Sequence, residues 1–170
     1  MVFATDAPRV LSGRVLALGG TRSTVKELPH IGSVLAFDFG ATRIGVAVGD
    51  LALRIPHAVG VIPSVPHAER YRAAGKLIDE WRPVLLAVGV PVQADGVRHP
   101  LAAACDKFAR SLEGRFRLPV ARVDESFSSC AASAALREAG VRGRSQKSRL
   151  DAAAAAAILA VLFSEIDVTA

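Results

Sequence analysis

The sequence predicts an α/β domain: a mixed five-stranded sheet with helices on both faces. Three observations carry this. Two apolar runs, 34–39 and 44–48, flank a turn at Gly40 and read as an antiparallel hairpin. Farther along, the unbroken apolar run 84–88 reads as a buried parallel strand. Between and after these runs lie stretches of helical spacing, the alternation expected of βα units. At 170 residues the chain holds one domain with a real core.

In chain order, residues 1–31 form an N-terminal arm without clear periodicity, in which Arg9 to Gly20 could supply a short extra strand against the sheet edge. The domain proper spans 32–165, and 166–170 form a C-terminal tail. The first strand is Val34–Phe39, the second Ile44–Val48, and a third resembles Arg54 to Ile62, stopped by Pro63. Between Pro66 and Trp81, Tyr71, Leu77, Ile78 and Trp81 fall near one helical face. Pro83 ends that helix. The fourth strand, Val84–Val88, is followed by the loop Gly89–Gly96 and a helix from about Pro100 to Leu112. The fifth strand, Pro119–Val123, ends on Asp124 and Glu125, and Ser126 or Ser128 can cap a helix that stops at Gly140. A basic linker, Val141–Lys147, leads into a last helix from about Arg149 to Glu165.

Composition narrows the class. With 51% hydrophobic and 22% charged residues, global disorder is excluded. The net charge of +5 favours a polyanionic partner, though weakly. Cys105 and Cys130 fit no metal, redox or disulfide spacing and read as inert thiols. The longest apolar run, Ala152 to Phe163, is too short to span a bilayer, and no signal peptide is evident, so the expected location is the cytoplasm, with no membrane partner.

The chemistry gathers at one predicted edge. Along the first strand, Val34, Ala36 and Asp38 share a face, and Leu35, Phe37 and Phe39 the other. A carboxylate at the end of such a strand is costly to bury without a partner, whether a metal ion, a cluster of backbone N–H groups or a basic side chain. The first, fourth and fifth strands are expected to run parallel, which brings Asp38 and the pair Asp124 and Glu125 to one carboxyl edge. Gly89, at the end of the strand between them, leaves space for acids to meet. Asp151 opens the last helix. Convergent carboxylates without a Cys or His cluster suit Mg²⁺ or Mn²⁺, and a pair of such ions is what phosphodiester hydrolysis uses. Arg137, Arg142, Arg144, Lys147 and Arg149 stand just before Asp151 and could hold a nucleic-acid backbone. Each group has a plainer role too: Asp38 in an Asx-type turn, Asp124 or Glu125 at a helix N-terminus, Ser148 with Asp151 as a capping box, and the basic residues as a solvated loop.

Four motifs in order, over about residues 33–163, resemble the YqgF (RuvX) family. The first runs Asp38-Phe39-Gly40-Ala41-Thr42-Arg43-Ile44-Gly45-Val46-Ala47. The second is Val88-Gly89-Val90-Pro91 with Asp95-Gly96. The third is Asp124-Glu125-Ser126-Phe127-Ser128-Ser129, and the fourth comprises Lys147, Asp151, Ala154, Ala155, Ile158 and Leu159. The resemblance implies a ribonuclease H-like fold and a metal-dependent endonuclease that processes the 5′ end of pre-16S ribosomal RNA, with Holliday junctions as a further substrate. It implies catalytic acids Asp38, Glu125 and Asp151, with Asp124 as a further metal ligand. Arg43 would contact phosphate alongside Arg142, Arg144, Lys147 and Arg149. The expected partner is precursor rRNA or branched DNA, and the expected state a monomer or homodimer. Two positions depart from the family pattern: Ser126 replaces an Arg, and Gly49 a Ser. The first departure motivates an alternative, a non-catalytic RNA-binding ribosome-assembly factor of the same fold.

Overall fold

The computed structural model describes residues 15–18, 29–63, 66–91, 99–125 and 144–168. The elements are β1 (Val15–Leu18), β2 (Ser33–Phe39), β3 (Ile44–Asp50), β4 (Pro56–Ile62), α1 (His67–Trp81), β5 (Leu85–Val90), α2 (Pro100–Phe116), β6 (Val120–Asp124) and α3 (Arg144–Val168). The helix expected to stop at Gly140, with Cys130, Arg137 and Arg142, lies outside the described residues.

The strand order is β1-β6-β5-β2-β3-β4. The five expected strands are β2 to β6. Within them β2, β5 and β6 are parallel neighbours, and β3 and β4 extend the sheet antiparallel. The short strand of the arm is β1, a sixth, which pairs antiparallel with β6 at the sheet edge.

The alternation of β2 sorts the core into two layers. Leu35 and Phe37 pack with α1 and α2 through Tyr71, Ala74, Phe108 and Leu112. Val34 and Ala36 pack with α3 through Ala155, Ile158, Leu159, Leu162, Phe163 and Ile166. Those α3 positions recur at three- and four-residue steps, one stripe of a helix. Ile158 and Leu159 are fully buried, each worth about 2 kcal/mol. Asp151 lies four residues before Ala155, so it extends the same stripe to the sheet's carboxyl edge.

Several boundaries differ from the sequence expectation for local reasons. The third strand starts at Pro56 rather than Arg54, because Asp50 Oδ1 accepts the N–H groups of Ala52 and Leu53 at 2.8 and 3.0 Å. Arg54, at φ 57°, then completes the turn in the left-handed region. The last helix begins at Arg144 and ends at Val168, longer at both ends than expected. Arg, Gln and Lys are good helix formers, so 144–147 continue the helix instead of linking to it. The capping-box role for Ser148 and Asp151 is therefore overturned: both lie inside α3. The glycine at position 49 has a packing reason. A Cβ there would stand 2.7 Å from Phe163 Cζ.

Candidate active site

Asp38 sits on the α3 side of the sheet near the carboxyl end of β2, flanked by glycines on both neighbouring strands. Its register partner on β3 is Gly45. On β5, the Phe37–Val88 pairing brings Gly89 alongside. Each missing side chain admits another acid. A Cβ on Gly45 would overlap the backbone carbonyl of Asp151, so α3 rests directly on β3 at this point. A Cβ on Gly89 would overlap Glu125 Oε1 and stand 2.6 Å from Ile158 Cδ1. Glu125 thus folds back over β5, its backbone N–H donating to Val90 O at 3.2 Å.

The acids are neutralised in two different ways. Asp38 and Glu125 share a hydrogen bond. Burial, then the charge of Asp38, then the hydrogen bond to it, and last Asp124 raise the Glu125 carboxyl to about 8. Burial and then the charge of Asp151 raise Asp38 to about 6, against the hydrogen bond from Glu125, which favours its ionised form. Between about pH 6 and pH 8 the pair therefore holds one proton between its two carboxyls. Asp151 instead meets a cation: Arg43 Nε stands 3.0 Å from its Oδ2, with the two side chains 21% and 28% exposed.

Arg43 is fixed by the hairpin that follows Asp38. Its carbonyl accepts the Gly40 N–H at 2.9 Å, and a Cβ on Gly40 would come within 2.7 Å of that same oxygen. Arg70 of α1 donates from Nη2 to Ala41 O at 3.2 Å, tying the turn to the opposite layer.

The remaining expected residues separate from this cluster or join its rim. Asp124 falls by strand alternation on the α2 face and acts on Glu125 by charge. Lys147 is exposed and lies one helical turn from Asp151, on its side of α3. Arg149 is also exposed, but two residues from Asp151 is ~200° around the helix, so it faces away. Arg144 opens α3, and Arg142, Asp95 and Ser126 lie outside the described residues. Arg122 is buried on the α2 face with Nε 3.2 Å from Asp106 Oδ1, away from the acids. Cys105 is an unreactive thiol, raised to about 12 by burial and by the charges of Glu125, Asp38 and Asp106.

Gly45 was not a candidate from the sequence by chemistry. The signal that finds it is a glycine inside an apolar strand, which marks a close approach by another chain segment.

The donor set fits a hard divalent cation. It is all carboxylate oxygen, and Asp38 and Glu125 already touch and hold a proton where a positive charge is needed. Among the described residues, as placed, no three Asp, Glu, His or Cys side chains stand close enough to share one ion. Asp151 is the third acid electrostatically, and Arg43 occupies it.

The chain is similar to known proteins over most of its length. A protein of Chromobacterium violaceum named "Putative pre-16S rRNA nuclease" is 51% identical over 132 residues, covering 77% of this chain and 96% of the relative. One of the same name from Nitrosomonas europaea is 47% identical over 132 residues, covering 78% and 89%. The structure titled T. thermophilus RuvC in complex with Holliday junction substrate superposes with a TM-score of 0.50 at 17% identity, over 81% of this chain and 97% of that one, a likeness of fold. The family model RuvX, described as Holliday junction resolvase, matches residues 32–165, and the chain belongs to that family.

Proposed function

We propose that this chain is a divalent-metal-dependent endonuclease that hydrolyses phosphodiester bonds in structured nucleic acid, with pre-16S ribosomal RNA as its main substrate and four-way DNA junctions as a second. The observation that carries this is the Asp38–Glu125 carboxyl pair. It lies over Gly89 at the carboxyl edge of parallel strands, with Asp151 beside it, in a chain of the resolvase family.

Asp38, Glu125 and Asp151 would hold Mg²⁺ or Mn²⁺. Bound there, the metal supplies Lewis-acid chemistry, lowering the pKa of water and offsetting charge on the phosphate oxygens. The chain's own residues do the rest. The sheet fixes Asp38 through β2, and Gly89 fixes where the Glu125 carboxyl can lie. Glu125, raised toward neutrality, can hold or release a proton near neutral pH. Arg43 and Lys147 stand on the exposed side, where guanidinium and ammonium groups suit a phosphate backbone.

The test is cleavage of precursor rRNA and of a four-way DNA junction by purified protein with Mg²⁺ or Mn²⁺. Asp38→Asn should reduce cleavage by ~10³-fold, because a charged ligand worth several kcal/mol is removed. No cleavage of either substrate, or cleavage unaffected by Asp38→Asn, overturns the proposal. Salt-sensitive RNA binding without cleavage would favour a non-catalytic assembly factor, the reading motivated by Ser126.

A further inference from the structure

We propose that Arg43 is a built-in counter-ion that competes with the divalent cation for Asp151, so that cation binding frees its guanidinium to face the nucleic-acid backbone. This rests on the metal-dependent reading above and adds a switch between two partners for one side chain.

Four observations converge on it. First, Arg43 Nε is 3.0 Å from Asp151 Oδ2, so the guanidinium occupies an oxygen that a shared ion would use. Second, no three acids among the described residues stand close enough to share one ion, although Asp38 feels the charge of Asp151 and is hydrogen-bonded to Glu125. Third, neither backbone is free to adjust. The Arg43 carbonyl is held by the Gly40 N–H, and the Asp151 carbonyl rests on Gly45. A change of partner must therefore be a change of side-chain rotamer. Fourth, both side chains are partly exposed, at 21% and 28%, and an ion pair of this kind is weak enough to exchange.

The chemistry of arginine gives the exchange its direction. A guanidinium keeps its proton at any accessible pH, so it leaves a carboxylate only by swinging away. Once released on the solvent side it presents a planar set of donors matched to phosphate. A merely structural pair would behave oppositely: Arg43 would hold Asp151 in place for the cation, and its loss would weaken cation binding.

The experiment is calorimetric titration of Mn²⁺ and Mg²⁺ into the full chain without nucleic acid. It compares the native protein with Arg43→Gln and Arg43→Lys. Removing both the competing contact and a nearby positive charge should tighten binding in Arg43→Gln by 5-fold or more, on the order of one weak ion pair plus one screened repulsion. Arg43→Lys should stay near the native value. In parallel, the Arg43 Nε–Hε NMR signal should move on Mg²⁺ addition toward its position in Asp151→Asn. Unchanged or weaker cation binding in Arg43→Gln, or an Nε–Hε signal indifferent to Mg²⁺, overturns the exchange and leaves the nuclease proposal standing. Absence of cation binding in the native protein overturns both.

Discussion

Two acidic half-sites lie side by side at the edge of the sheet, and they are built on different principles. Asp38 and Glu125 belong to the sheet. They are substantially buried, touch each other and hold a proton between them. Asp151 belongs to a helix laid across the sheet, is more than a quarter exposed, and is neutralised by a guanidinium. Burial disfavours a charged carboxyl, so the inner pair keeps a proton. Exposure makes an ion pair cheap, so the outer acid takes Arg43. The comparison teaches that the charge of a multi-carboxylate site can be balanced differently at its two ends, with different consequences for exchange.

The glycines beneath each half-site offer the strongest way to break the comparison. Gly45→Ala would place a Cβ against the backbone carbonyl of Asp151, which moves only if α3 moves. It should lower unfolding free energy by about 3 kcal/mol, measured by chemical denaturation. Gly89→Ala instead meets the ends of two side chains, Glu125 and Ile158, which can shift. Its stability loss should be about 1 kcal/mol, but cleavage should fall ~100-fold as Glu125 is displaced. Equal stability losses in the two variants would contradict the distinction between helix-borne and strand-borne acids.

A second, intermediate effect is set by pH. The carboxyls of Asp38 and Glu125 lie at about 6 and about 8, above their ordinary values of 3.8 and 4.5. The folded state thus binds more protons than the unfolded state between about pH 4 and pH 8, and stability falls as pH rises through that window. Thermal melts without divalent cation should show this decline, and Glu125→Gln should flatten it. A rise in melting temperature across the same window would rule out the shared proton.

The smallest effect separates the two faces of α3. Lys147→Ala should lower the salt slope of RNA binding by about 1, whereas Arg149→Ala should leave it unchanged. Equal slopes for the two variants would mean that RNA wraps the helix rather than following the acid edge.

Much of this site was legible in the sequence. Alternation in 34–39 assigns Val34, Ala36 and Asp38 to one face, and they do share the α3 side. The parallel arrangement of three strands and the gap at Gly89 follow from apolar runs and a glycine at a strand end. The start of α3 was harder, because a run of Arg, Gln, Lys and Ser reads equally as basic linker or first helical turns. The role of Gly45 was hidden for a different reason: a glycine in a strand signals a close approach without naming what approaches.

The sequence by itself determined the strand period, the helical stripe of α3 and the chemical type of each acid, because these depend on neighbours within a few positions. Only the tertiary structure decided which acids touch. Asp38 and Glu125 are 87 positions apart, and Arg43 and Asp151 are 108 apart. The partners were chosen by the register of β2 with β3 and β5, and by the depth to which two glycines let α3 and Glu125 settle. Partial charges act over a few ångströms of space, and only the packed sheet sets those distances. Asp38, near the end of β2, thus has as its neighbour a glutamate whose carboxyl is raised to about 8, and Arg43, five residues beyond Asp38, pairs with the third acid.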